Sequence, residues 1–176
     1  LAYEKQKNNF NRMKLNFPIE AIWDDHDYGR NDGGRDYPYK QNSKELFLEF
    51  WDIPKNDKRR TRPGLYYELV LQIGQERLQI LFLDTRPFRD SLVPSDKLGA
   101  PGKERYLSAE DTSLTMLGKT QWEWVSRKMN QSADHRIIVS SIQFLPIGHG
   151  WETWNNLPNE RKRMIDIIER SNSEHI

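Results

Sequence analysis

The chain has 176 residues, no cysteine and a formal net charge of +1, with 36% hydrophobic and 30% charged residues. That length suffices for one domain with a sizeable core, and the apolar share together with six Trp argues against disorder. The near-neutral charge gives no bulk field for nucleic acid or an anionic membrane, no apolar run nears the ~20 residues of a membrane helix, and disulfides and thiolate metal sites are excluded within the chain. A cysteine-free chain suits an oxidising or a reducing compartment alike. Because the sequence begins at Leu1, the lack of a signal segment bears little on localisation.

In chain order, strong helix formers over residues 2–14 predict a polar surface helix that ends before Asn16 and Pro18. The apolar run of residues 19–24 reads as a short buried strand. Residues 25–42 hold three Gly, one Pro and an acidic cluster, so they read as a loop too long for a mere connector. Ser43 looks like the N-cap of a short helix over residues 44–51 with one bulky apolar face. Residues 54–63 form a basic, breaker-flanked loop, most simply a solvated one, with weak scope for steering an anionic substrate. Residues 66–73 and 77–84 read as a β-hairpin around Gly74-Gln75, a pair suited to a II′ turn. The second run becomes nearly continuous in apolar residues, which predicts a central strand. Residues 85–117 are irregular. Residues 118–131 predict an amphipathic helix with Trp122, Val125 and Met129 on one face. Residues 136–141 read as another buried strand, followed by a loop rich in Gly and Trp and a closing helix over residues 159–170. Strands alternating with helices indicate a layered α/β domain with a mixed sheet.

The densest chemistry lies in Trp23-Asp24-Asp25-His26-Asp27-Tyr28-Gly29-Arg30-Asn31-Asp32. Carboxylates this close repel one another unless a cation neutralises them. Hard oxygen donors suit Ca²⁺, Mg²⁺, Mn²⁺ or iron, and a neighbouring His suits iron or zinc. A solvated turn explains Asn31-Asp32-Gly33-Gly34 well, because these residues tolerate left-handed backbone. It explains Asp24-Asp25-His26 poorly, since that segment leaves an apolar run already carrying charge. The spacing is not that of an EF-hand. A second candidate is Leu83-Asp84-Thr85-Arg86: either a structural Asp–Arg pair at a strand end, or a place where Arg86 or Arg89 offers a fork of donors to a phosphate. Ser140-Ser141 lacks the surroundings of a nucleophile and reads as packed or capping. His149, ahead of Gly150-Trp151-Glu152, belongs either to an aromatic-packed loop or to a substrate-contacting one. His135 and His175 read as surface residues.

The run from Trp23 to Asp32 resembles the signature loop of the PhoD-type alkaline phosphatases, a branch of the metallophosphatases. Collinear blocks resemble the same family: Phe47-x-x-Phe50-Trp51, Leu83-Asp84-Thr85-Arg86, Leu117-Gly118-x-x-Gln121-Trp122, Ser140-Ser141-Ile142-Gln143 and Gly150-Trp151-Glu152-x-Trp154-x-Asn156-x-Pro158-x-Glu160-Arg161. The resemblance implies a metallophosphatase-like α/β fold of layered mixed sheets flanked by helices. It also implies a binuclear metal site, iron with calcium, at strand C-termini, and hydrolysis of phosphomonoesters or phosphodiesters by a metal-activated water. By that match Asp25 ligates metal and His26 steadies the developing charge or protonates the leaving group. Asp24, Asn31 and Asp32 act as further ligands or their orienters, and Arg86 and His149 contact substrate. The expected partner is a phosphate ester, with no nucleic acid indicated, and the family leans toward export.

The family also has an upstream Gly-Asp element bearing a bridging Asp and a downstream Gly-Asp-x-His element, and this sequence shows neither. Residues 1–176 are therefore expected to be the central part of a single phosphatase domain, holding part of a binuclear site and turning over little alone. The alternatives are a non-catalytic remnant of the fold and a Ca²⁺-binding module.

Overall fold

A hairpin and two helix-linked crossovers build the main sheet in the computed structural model, which describes residues 2–13, 17–171 and 173–175. Strands β1 (Tyr67–Ile73) and β2 (Glu76–Phe82) are antiparallel, with Tyr67 across from Phe82 and Ile73 across from Glu76. Gly74 takes the turn at φ 63°, a conformation open to Gly and costly for other residues, as the turn chemistry predicts. Helix α5 (Gly118–Met129) then carries the chain to β5 (Ala133–Val139), which lies parallel to β2. Helix α6 (Pro158–Glu169) leads to β6 (Ser173–His175), parallel to β5. The sheet order is β1-β2-β5-β6, so β2 is central, as its apolar run predicts. His175 lies in β6, and His135 lies within β5, where Nε2 meets Glu76 at 2.8 Å. A small second sheet pairs β3 (Val93–Pro94) with β4 (Tyr106–Leu107) inside the otherwise irregular segment.

Two cores flank this frame. The larger joins Leu81 and Leu83 from β2 and its exit to Trp122, Val125 and Met129 of α5, to Trp154, and to Met164 of α6. The predicted apolar face of α5 is the face that packs, and Trp124 joins it. Glu160, on the first turn of α6, holds this layer together. Its Oε2 accepts from the Met116 N–H at 2.6 Å, the Thr115 hydroxyl at 2.7 Å and the Trp122 indole at 2.6 Å. The smaller core gathers Trp23, Tyr28, Phe47, Leu48 and Leu65 under the acidic segment.

Several local expectations are corrected. Helix α1 (Ala2–Met13) stands where predicted, while residues 14 and 16 lie outside the described residues. Residues 19–24 form no strand: they pair with no strand among the described residues, and Ile19 is exposed while Trp23 is buried. The acidic segment contains a one-turn helix, α2 (Asp25–Tyr28), because the Asp27 carboxylate turns back to accept from the Asp24 N–H at 2.8 Å. Helix α3 (Lys40–Phe50) starts earlier than Ser43, whose hydroxyl donates to the Tyr39 carbonyl at 3.3 Å from inside the first turn. The basic loop contains α4 (Lys58–Thr61), capped by Asp57, whose Oδ1 accepts from the Arg59 N–H at 2.7 Å. Strand β5 (Ala133–Val139) starts ahead of the predicted 136–141 and stops short of its end.

Candidate functional site

The parallel strands β2 and β5 run the same way, so their C-terminal exits open on one edge of the sheet. The β2 exit delivers Asp84 and Arg86, and the β5 exit delivers Ser141, Ile142 and Gln143. Open α/β sheets bind ligands beyond such ends. Here a cleft of about 220 Å³ is lined by Asp24, Asp25, Asp32, Arg105, Ser141, Ile142, Gln143, Trp151 and Glu152.

The acidic loop owes its shape to what lies beneath it. Trp23 packs edge-on to Tyr28 and Phe47, with ring centroids 5.0 and 5.7 Å apart, and its indole donates to Asp84 Oδ1 at 2.7 Å. The buried Tyr28 hydroxyl donates to the Gly34 carbonyl at 3.0 Å and ties the loop's two ends together. Asp32 takes a left-handed φ of 50°, as the turn composition allows, and its N–H donates to Asp25 Oδ2 at 2.9 Å. The loop therefore brings Asp25 and Asp32 together through a backbone hydrogen bond.

Charge balance comes from arginines. Arg86 is 1% exposed. Its Nε donates to Asp24 Oδ1 at 2.9 Å, and Nη1 and Nη2 grip Glu152 at 2.9 and 2.8 Å. A further bond runs from Nη1 to the Gly33 carbonyl at 3.3 Å. Arg89 reaches the same Glu152 at 3.0 Å and donates to the Asp32 carbonyl. Arg105, 40% exposed in its side chain, pairs with Asp32 Oδ2 at 2.5 Å, lies over the Trp151 ring, and shares that oxygen with the Tyr106 hydroxyl at 2.9 Å. Burial works to raise the Asp25 carboxyl, but the Asp32 N–H, Arg86 and His26 outweigh it and hold Asp25 below the usual carboxylate range. Burial raises Glu152 despite its two arginines.

The sequence-predicted residues divide. Asp24, Asp25 and Asp32 line the cleft together. His26 stands at the surface with an 81% exposed side chain, its Nε2 3.2 Å from Asn31 Oδ1. Arg86 sits behind the cleft, and its side chain pairs with Asp24 and Glu152. The Asp84 carboxylate instead accepts from Trp23 and from the Leu65 N–H at 2.6 Å. His149 is half-buried, and its Nδ1 accepts from the Trp151 N–H at 3.2 Å. Sequence reasoning missed Glu152, Arg105 and Trp151. Glu152 and Trp151 lie in the Gly150-Trp151-Glu152 block that drew attention to His149, whereas Arg105 sits in a patternless stretch that carries no signal.

The donor chemistry of three carboxylates suits a hard divalent ion. The arrangement alone does not make a metal site: no group of three or more His, Asp or Glu side chains among the described residues is placed to hold one. Asp24 and Asp32 turn oxygens toward Arg86 and Arg105 instead. No helix among the described residues is long and apolar enough to cross a membrane.

A family model described as PhoD-like phosphatase matches residues 1–176. Curated proteins return no match. A solved structure titled "Structure of PhoD" is similar in fold, with a TM-score of 0.54 at 21% identity. The similarity covers 84% of this chain and 31% of that one, so the chain spans about a third of the solved protein's length.

Proposed function

This chain belongs to the PhoD-like phosphatase family, and we propose that it is the part of a phosphoric-ester hydrolase that carries the acidic metal loop and the substrate-facing wall of the cleft. The observation that carries this reading is the convergence of Asp24, Asp25 and Asp32 on one cleft beyond the ends of parallel strands. The substrates are phosphomonoesters or phosphodiesters, and the ions are a pair such as iron with calcium, with ligands beyond this chain completing the set. When bound, such ions polarise the phosphate and lower the pKa of a coordinated water.

The chain's own residues have separable roles in this reading. Asp25, held below the usual carboxylate range, stays ionised and ready to ligate. Asp24 and Asp32 flank it, and Asn31 orients His26 through their 3.2 Å contact. His26, exposed with Nε2 3.8 Å from Asp25 Oδ2, hands a proton to the departing alkoxide. Arg86 acts as a positioning residue for Asp24 and Glu152, because its donors are already engaged. His149 acts through Trp151, which it holds at the cleft wall.

A second reading, a non-catalytic remnant, draws on one observation. Arg86 and Arg105 form ion pairs with Asp24 and Asp32. The two readings separate by elemental analysis of the chain, and of a form extended on both sides, paired with nitrophenyl phosphate and bis-nitrophenyl phosphate hydrolysis. The extended form is expected to hold two metals and turn over. Asp25→Ala should lose metal, while His26→Ala should keep metal and lose turnover. The 176-residue chain alone should bind metal weakly and turn over little. Metal-replete extended protein without turnover favours the remnant, and vigorous turnover by the chain alone contradicts an incomplete ligand set.

A further inference from the structure

Away from the acidic cleft lies a larger concavity of about 750 Å³, within the range of small-molecule sites. Its walls come from α4 and its flanks, the start of β1, the exposed side of α5 near its C-terminus, and Glu20 ahead of the acidic loop. Five cations and three carboxylates line it. Two of the carboxylates pair with cations, and the third keeps its charge beside a hydroxyl. Asp57 pairs with Arg59 at 2.9 Å, Glu68 pairs with Lys128, and Glu20 accepts from the Tyr67 hydroxyl at 2.8 Å. That leaves Lys58, Arg62 and Arg127, none of which has a carboxylate within ion-pair distance among the described residues. Five cations against three carboxylates give this lining a net +2, more than the +1 of the whole chain, so positive charge is concentrated here rather than spread as a general excess.

Arg62 is also held flat, its guanidinium over the Tyr66 ring at 4.6 Å, whereas Arg59, over the Tyr67 ring at 4.1 Å, already gives Nε and Nη2 to Asp57. A stacked guanidinium loses less freedom on binding and keeps its edge donors, and that planar fork matches phosphate oxygens. We propose that this cleft binds a phosphorylated small molecule with two or more negative charges, through Lys58, Arg62 and Arg127. This site is separate from the acidic cleft and stands whether or not that cleft hydrolyses esters.

The test is an NMR titration of the isotopically labelled chain with pyrophosphate and with ADP, against sodium chloride at matched ionic strength. Expected are saturable shifts in residues 57–69 and 124–128 with both phosphates. Arg127→Glu and Lys58→Glu, both at exposed positions, should each weaken binding about tenfold or more, as loss of a charge-assisted hydrogen bond implies. Asp25→Asn should leave it unchanged. Tighter binding of ADP than of pyrophosphate assigns a nucleotide, and equal binding assigns recognition of the phosphates alone. Shifts reproduced by chloride, no saturation, or affinity indifferent to both charge reversals in folded protein overturn the proposal.

Discussion

At the residue scale, Arg86 shows how a sequence motif and its geometry part company. Leu83-Asp84-Thr85-Arg86 reads as a strand-end pair or as a phosphate fork, and the structure uses the two charges separately. Asp84 faces the Trp23 indole and the Leu65 N–H. Arg86 spans from Asp24 to Glu152. Spacing along a chain cannot reveal this, because both partners of Arg86 are more than sixty residues away. The buried position makes the arginine a structural necessity. Removing it leaves Glu152, whose side chain is 10% exposed, with Arg89 as its remaining ion partner among the described residues, and losing one partner of a largely buried pair typically costs about 3–5 kcal/mol. Arg86→Ala is expected to lower chain stability by that order in denaturant unfolding, and Arg86→Lys to recover only part, since an ammonium cannot fork between two carboxylates. An exposed phosphate-binding arginine would leave stability nearly unchanged, so unfolding midpoints within error of the parent would remove Arg86 from its positioning role.

At the element scale, the reading from sequence succeeded where periodicity was strong. The hairpin, the α5 face and the centrality of β2 all follow from apolar pattern and one turn glycine. It failed where tertiary pairing decides. Residues 19–24 carry a strand's composition but have no strand beside them among the described residues. Helix α4 is a single turn made possible by the Asp57 cap inside what reads as a basic loop. The small β3–β4 sheet is similarly silent in sequence, yet it places Arg105 and Tyr106 on Asp32. What fixes that sheet against the Trp151 loop is Gly150. Its carbonyl accepts from the N–H groups of Arg105 and Tyr106, both at 2.8 Å. A Cβ added there would meet the Glu104 nitrogen at 2.4 Å and the Lys103 Cα at 2.7 Å. Those atoms are backbone and cannot swing away. Gly150→Ala should therefore cost about 1–3 kcal/mol, as overpacking does, and move the Arg105 and Trp151 signals together in a two-dimensional NMR spectrum. The same substitution at Gly74, where nothing lies within 4 Å, should cost only the left-handed backbone strain and leave those signals in place.

At the scale of the whole molecule, the two cores meet at one buried carboxylate. Trp23 and Leu65 belong to the core beneath the acidic loop, and both donate to Asp84. The Asp84 backbone in turn exchanges two 2.8 Å hydrogen bonds with the Gln121 side chain on α5, which packs the other core. Burial pushes the Asp84 carboxyl up to about 6 despite these donors and the nearby Arg86. The folded state thus holds the Asp84 proton more tightly than the unfolded chain, whose carboxyl titrates near the ordinary value of 3.8. The stability Asp84 contributes by this route is fully present below that ordinary value and is lost as pH rises through about 6. Asp84→Asn keeps the shape, removes the titration and turns an amide N–H toward one of the donors, at a cost of about 1–3 kcal/mol. The gap in unfolding free energy between parent and Asp84→Asn should accordingly be widest near pH 4 and narrow toward pH 7. Hydrogen exchange in the variant should quicken on both sides of the joint, around Trp23 and Phe47 and around Gln121. A gap that stays constant over that pH range means that Asp84 titrates as an ordinary carboxylate. Faster exchange in one core only means that the two are not coupled through it.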